Sequence, residues 1–264
     1  MRAGPWQGAT GGTGGTEVLD LLTAALLPSV LAGRSASAQA YMKTTQPFLG
    51  VPVPHVRRVT RNFVRQLGIS TAADRLKLAT RIWSEATHRE HWYAAQEICA
   101  AATCRGHLEF LPLYERMITE GAWWDIVDGC SRPYGQLLLA HPKETGALMQ
   151  AWSRETNMWK RRQSMICQLH LGPDTDTGLL AAVLLANLGD REFFIGKAMG
   201  WALRQYGKSD PQWVLSWVRA HREAMTPLSV REALRHLGSP AAAQGSGFHA
   251  LRESPSIPDA SARQ

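Results

Sequence analysis

Residues 72–104, AADRLKLATRIWSEATHREHWYAAQEICAAATC, read as two helices joined by a short link at Thr87-His88. In Ala72–Ala86 the residues Leu76, Leu78, Ala79, Ile82 and Trp83 fall on one side. In Arg89–Cys104 the residues Trp92, Ala95, Ile98 and Cys99 do the same. Apolar residues recurring at this spacing mark amphipathic helices, and a short link folds two of them back to back. The pattern continues outward in both directions. Helical runs are predicted over Val18–Ala32 and about 54–68, 107–120, 123–139, 143–154, 157–169, 176–188, 191–206, 211–221 and 228–237, with no long alternating strand pattern.

The punctuation agrees. Asp210-Pro211 and Thr226-Pro227 each place a capping acceptor before a proline at the first helical position, where the missing N–H costs nothing. Asp190 is a candidate cap and Gly238 a candidate stop. The expected fold class is all-α: a curved α-solenoid of antiparallel helical pairs, as in HEAT-like repeats, with no strict sequence period. The solenoid is expected over 17–238, between a Gly-rich tail (1–16) and a Pro/Ser/Ala-rich tail (239–264), both expected to be disordered.

Composition narrows the partners. The 264 residues carry 29 Lys plus Arg against 22 Asp plus Glu, a formal charge of +7, which favours an anionic partner such as nucleic acid. No run approaches the roughly 18 uncharged apolar residues of a spanning helix, so no membrane role is expected. Four cysteines (Cys99, Cys104, Cys130 and Cys167) without a CxxC suit buried thiols in a reducing cytoplasm. The 10 Trp, more than the Phe or the Tyr, need a separate explanation.

Three segments exceed what a plain helical scaffold needs. Tyr41–Val51 (YMKTTQPFLGV), followed by Pro52, Pro54 and Arg57-Arg58, cannot form one helix; it serves as a structured loop, a domain-entry turn or both. In Trp123-Trp124-Asp125-Ile126-Val127-Asp128, helical spacing sets Trp124 and Asp128 four apart on one face. Both tryptophans can be core with Asp128 capping or pairing; an indole beside a carboxylate also suits a cationic substrate.

The third segment is a pair. Lys160-Arg161-Arg162 opens an otherwise apolar helix against the macrodipole, so it is either a solvated turn or a phosphate contact. In Phe193–Arg204, Lys197, Trp201 and Arg204 share a face, and Gly196 and Gly200 leave room for another backbone. His88 and His91, three apart, pack or cap more readily than they ligate metal, and no carboxylate cluster suits a two-metal nuclease.

Taken jointly, YMK…PFLGV…P…RR, W-S-E…HRE…A, WWDIVD, MWKRR and FFIGKAMGWALRQYGKSDPQWV resemble the DNA alkylation repair family of AlkD-like DNA glycosylases, in order, over about residues 40–220. The resemblance implies a right-handed concave solenoid and excision of positively charged N3- or N7-alkylated purines from double-stranded DNA. It places the catalytic aspartate at Asp128 and active-site tryptophans at Trp124 and Trp201. Phosphate contacts fall to Arg162, with Arg161 as the adjacent candidate, and to Arg204, Lys197 and Lys43, with Tyr41 beside it. A monomer without metal or cofactor is expected. The competing reading is a non-catalytic helical scaffold that binds DNA structures or a protein.

Overall fold

The computed structural model describes residues 14–237. Of the expected N-terminal tail, residues 14–16 already belong to the first helix. The rest of it, the C-terminal tail and Gly238 lie outside the described residues. All regular elements described are helical: α1 (Gly14–Leu26), α2 (Arg34–Met42), α3 (Val53–Gln66), α4 (Ala72–Glu85), α5 (Arg89–Cys99), α6 (Leu111–Gly121) and α7 (Trp124–Val127). They continue as α8 (Ser131–Ala140), α9 (Pro142–Trp152), α10 (Met158–Ile166), α11 (Thr177–Leu185), α12 (Phe193–Tyr206), α13 (Pro211–His221) and α14 (Pro227–Leu234), with short 3₁₀ turns between some of them. Among the described residues no single helix is long and apolar enough to cross a membrane.

The helices stack as an α-solenoid. One row runs α3, α5, the short α7, α10, α12 and α14. In it α3 packs on α5, α7 on α10, α10 on α12 and α12 on α14, while α5 reaches α7 through side-chain bonds from Arg89 and Gln96; α4, α6, α9, α11 and α13 back it. Between the rows lies one continuous apolar core, from Leu22 and Leu26 through Leu78, Ile82, Ile98 and Ile126 to Leu203 and Val214, all fully or almost fully buried. Asp210 caps α13 by accepting from the Trp213 N–H (2.9 Å), and Thr226 caps α14 by accepting from Ser229 (3.1 Å). Asp190 is not a helix cap; it accepts from the Glu192 N–H, and α12 begins at Phe193.

Two predicted runs are broken, and a helix ends where only a loop was expected. Val18–Ala32 ends as α1 at Leu26, because Pro28 turns the chain into a 3₁₀ step. Tyr41 and Met42 close a helix, α2, that periodicity did not reveal, and Lys43 caps it in the left-handed region (φ 48°). The run 123–139 is two helices: Trp123 is extended, α7 is a single turn, and Asp128–Cys130 is 3₁₀. Pro133 offers no N–H to Gly129, and the Gln96 side chain donates to the Ile126 carbonyl (2.7 Å), so a continuous α ladder fails there. Gly129 leaves room for that amide: a Cβ there would sit 2.7 Å from it and would push the Gln96 side chain aside. Asp128 thus stands at a break in the helix.

Candidate active site

Two arginine–aspartate pairs fix the break. Arg162, in α10, donates from Nε to Asp128 Oδ1 (2.7 Å) and from Nη2 to Oδ2 (2.9 Å). Its third nitrogen, Nη1, donates to the Phe194 carbonyl in α12 (2.6 Å), and the residue is 4% exposed. The second pair lies one turn earlier. Arg89 in α5 donates to both oxygens of Asp125 (3.0 and 2.6 Å), and the Tyr93 hydroxyl adds a third bond (2.6 Å). The α7 turn, with Trp124 at its start and Asp128 just beyond its end, is therefore clamped from both sides by forked, charge-assisted bonds.

An aromatic cluster backs the Arg162 side. Trp123, Trp159 and Phe194 meet with ring centroids 5.0 to 5.9 Å apart, and the Arg162 guanidinium lies 5.9 Å from the Phe194 ring. Each ring comes from a different segment singled out in the sequence: WWDIVD, MWKRR and FFIGK. Burial pushes the Asp128 carboxyl above its ordinary value, Arg162 pulls it back, and Asp125 adds to the rise. Its side chain keeps 19% exposure. A carboxylate has about four acceptor positions, so two bonds to Arg162 leave room for a water or a sugar.

The expected phosphate contacts have partners of their own. Three of the five N–H donors of Arg162 go to Asp128 and Phe194, so its first role in the free protein is to orient the carboxylate. Arg161 donates to the Glu155 and Thr156 carbonyls and reaches Asp190 (3.3 Å). Lys197 and Arg204 both bind Glu232 of α14, at 2.8 and 2.7 Å. Trp201, half-buried, lies between them on α12, two turns beyond Phe194. Trp124 is also half-buried, and its indole N–H is buried without a partner.

Lys43 and Tyr41 are exposed at the end of α2. The loop after them is pinned to the site by two neighbours in α5. Glu90, fully buried, accepts from the N–H groups of Leu49, Gly50 and Val51 (2.8 to 3.0 Å). Arg89 donates from its backbone to the Pro47 carbonyl (2.9 Å) and from Nη1 to Gln46 (3.1 Å). Gly50 adopts φ +96°, which a side chain would strain. Next along, His91 Nδ1 accepts from the Thr87 and His88 N–H groups, and Nε2 contacts the Thr23 hydroxyl at 3.0 Å; the histidine caps α5.

Arg89, Glu90, Tyr93, Asp125 and Glu232 were not picked out as site residues in the sequence. HRE and WWDIVD contain three of them, but nothing local pairs Arg89 with a residue 36 positions on. Glu232 carried no signal at all.

The helical solenoid thus carries a carboxylate clamped by Arg162 at the end of α7, a half-buried indole at Trp124 and another at Trp201, and two cations of α12 held by Glu232. The match to known families agrees. Residues 22–237 match the DNA alkylation repair enzyme family, and the chain belongs to it. A solved structure described as a predicted DNA alkylation repair enzyme from Enterococcus faecalis is similar over 80% of this chain and 97% of its own, at 28% identity and a TM-score of 0.69. No curated protein matches the chain.

Proposed function

We propose that the chain is a DNA glycosylase that hydrolyses the N-glycosidic bond of N3- or N7-alkylated purines in duplex DNA, acting as a cytoplasmic monomer without a cofactor. The observation that carries this reading is Asp128, oriented through both oxygens by Arg162 yet still open to solvent at one edge, beside Trp124.

An alkylated purine carries positive charge, so its bond to C1′ is already weakened. As that bond breaks, its electron pair passes to the base, which leaves neutral, and positive charge develops on the sugar. A fixed carboxylate stabilises that charge at the point where it forms. A water held on Asp128 bonds through its oxygen to C1′, and its proton leaves through the carboxylate. Trp124 and Trp201 offer faces for the deoxyribose and the cationic nucleotide. Lys43, Lys197 and Arg204 supply phosphate contacts that hold the duplex without reading its sequence; Tyr41 stands next to the first of these.

The test is incubation with methylated duplex DNA and identification of the released bases. Release of 7-methylguanine or 3-methyladenine by the parent, lost in Asp128→Asn, is the expected result; intact DNA throughout sinks the reading.

One observation favours the other reading, a non-catalytic scaffold that binds DNA structures or a protein. Arg162 neutralises Asp128 in the free protein, which lowers the field a sugar cation would feel. Duplex binding with no released base under any condition is the result that reading requires.

A further inference from the structure

Gly196 and Gly200 let another backbone approach α12, and that backbone is α14. A Cβ on Gly200 would lie 2.4 Å from Glu232 Cβ and 2.9 Å from the Ser229 carbonyl oxygen. The Ser229 hydroxyl donates to the Gly196 carbonyl (3.1 Å) and locks the register. This contact brings Glu232, itself 8% exposed, under the face of α12 that carries Trp201. Its two oxygens are shared out, one to Lys197 Nζ (2.8 Å) and the other to Arg204 Nη1 (2.7 Å). The two cations stand four residues before and three after Trp201, so one carboxylate holds the ammonium and the guanidinium on either side of the indole.

We propose that Glu232 is a positioning residue: it fixes Lys197 and Arg204 beside Trp201 and limits the pull of that face on undamaged DNA. The proposal rests on the glycosylase reading for its substrate, but its electrostatic core concerns DNA binding alone.

The chemistry follows from the charges. Two free long-chain cations would grip any phosphate, damaged strand or not, and would have to be ordered at each encounter. Tied to one carboxylate they carry a single net positive charge and an already restricted geometry. Burial alone would raise the Glu232 carboxyl, but Lys197 and Arg204 outweigh it and hold the group below its ordinary value. It is therefore ionised at neutral pH. A repair protein that must leave most sites quickly gains from such restraint, because non-specific affinity is set by counterion release and not by base contacts.

The experiment compares the parent with Glu232→Gln, Glu232→Asp and the Lys197→Gln/Arg204→Gln double variant. Binding to an undamaged duplex is followed by fluorescence anisotropy across a series of KCl concentrations. Single-turnover release of 7-methylguanine from methylated duplex is measured at saturating protein. Glu232→Gln keeps the shape and loses the charge. Its slope of log affinity against log salt is expected to steepen by about 0.9 per freed cation, while base release slows several-fold. Glu232→Asp keeps the charge and the parent slope, and the double variant has a shallower slope.

An unchanged slope in Glu232→Gln overturns the proposal, as does an equal steepening in Glu232→Asp, which would assign the effect to lost packing. Should Glu232→Gln not fold, the double variant decides: a slope equal to the parent's means that these cations never meet DNA, and the proposal falls. Should the parent release no base, the glycosylase reading falls while the salt slopes still decide the role of Glu232.

Discussion

Arg162 and Asp128 face each other fork to fork, with donor–acceptor distances of 2.7 and 2.9 Å, across the gap between α10 and the end of α7. The pair sets both the direction of the carboxylate and its readiness to ionise. Removing Arg162 takes away the influence that lowers the Asp128 carboxyl and leaves burial and Asp125, which raise it. The carboxylate must be ionised to act, and ionisation is lost as pH falls through its folded value. In Arg162→Gln the acid limb of the rate profile therefore moves to higher pH. Base release measured from pH 5 to 9 checks this, and an unmoved limb contradicts it. Stability also drops, by about 2–3 kcal/mol, below the loss seen for fully buried pairs because Asp128 keeps an edge in solvent.

Asp128→Asn keeps the shape and removes the charge. Base release is expected to fall by about 10²- to 10³-fold, the usual loss for one electrostatic group aimed at a transition state. Duplex affinity should stay within a few-fold of the parent, since the cations are untouched. Parallel release and anisotropy assays separate the two effects.

Glu90 is the structural anchor of the Phe48–Val51 turn. Glu90→Ala strands three backbone donors, two of them in buried bonds. At about 1–3 kcal/mol for each group left unsatisfied, the expected loss is several kcal/mol. Urea denaturation reads the stability. Amide exchange at Leu49, Gly50 and Val51 should accelerate more than exchange in α12.

His91 makes stability depend on pH. Burial, aided by His88, lowers its pKa from 6.5 to about 4. The unfolded chain takes up a proton in this interval and the folded chain does not, so stability rises with pH here. It is complete above about 6.5 and is lost as pH falls towards 4, by on the order of 3 kcal/mol at 1.36 kcal/mol per unit. Denaturation midpoints from pH 4 to 7.5 should show this slope, and a His91→Gln variant should flatten it.

Gly200→Ala must separate α12 from α14, because the new Cβ meets backbone as well as Glu232. Overpacking of this kind costs about 1–3 kcal/mol. Gly146→Ala has nothing within 4 Å of the added carbon and is the control. Melting temperatures distinguish them: Gly200→Ala falls and Gly146→Ala does not.

The tryptophans show how far local pattern reaches. Trp83, Trp92, Trp123, Trp159, Trp213 and Trp217 fit helix packing by spacing, and all six contact other aromatic rings; Trp83 and Trp92 stack at 4.5 Å. Trp152, which no pattern placed, is 3% exposed, with Tyr134 at 5.4 Å and the Lys160 ammonium 5.3 Å from its ring. Its partners lie on two other helices, so its place depended on how those helices pack. Trp6 lies outside the described residues.

The all-α class, the helix starts at Pro211 and Pro227, and the nearness of Trp124 to Asp128 follow from the chain itself. Periodicity, capping and a spacing of four act over a few residues, and a sequence states them directly. Tertiary structure decided what each charge does. Arg162 became the partner of Asp128, and Lys197 and Arg204 became partners of Glu232, because a charge is defined by whatever lies within about 3 Å of it. Those neighbours stand 28 to 35 residues away along the chain. A basic run announces positive charge; only the packing of α10 on α7, and of α14 on α12, determines which carboxylate receives it.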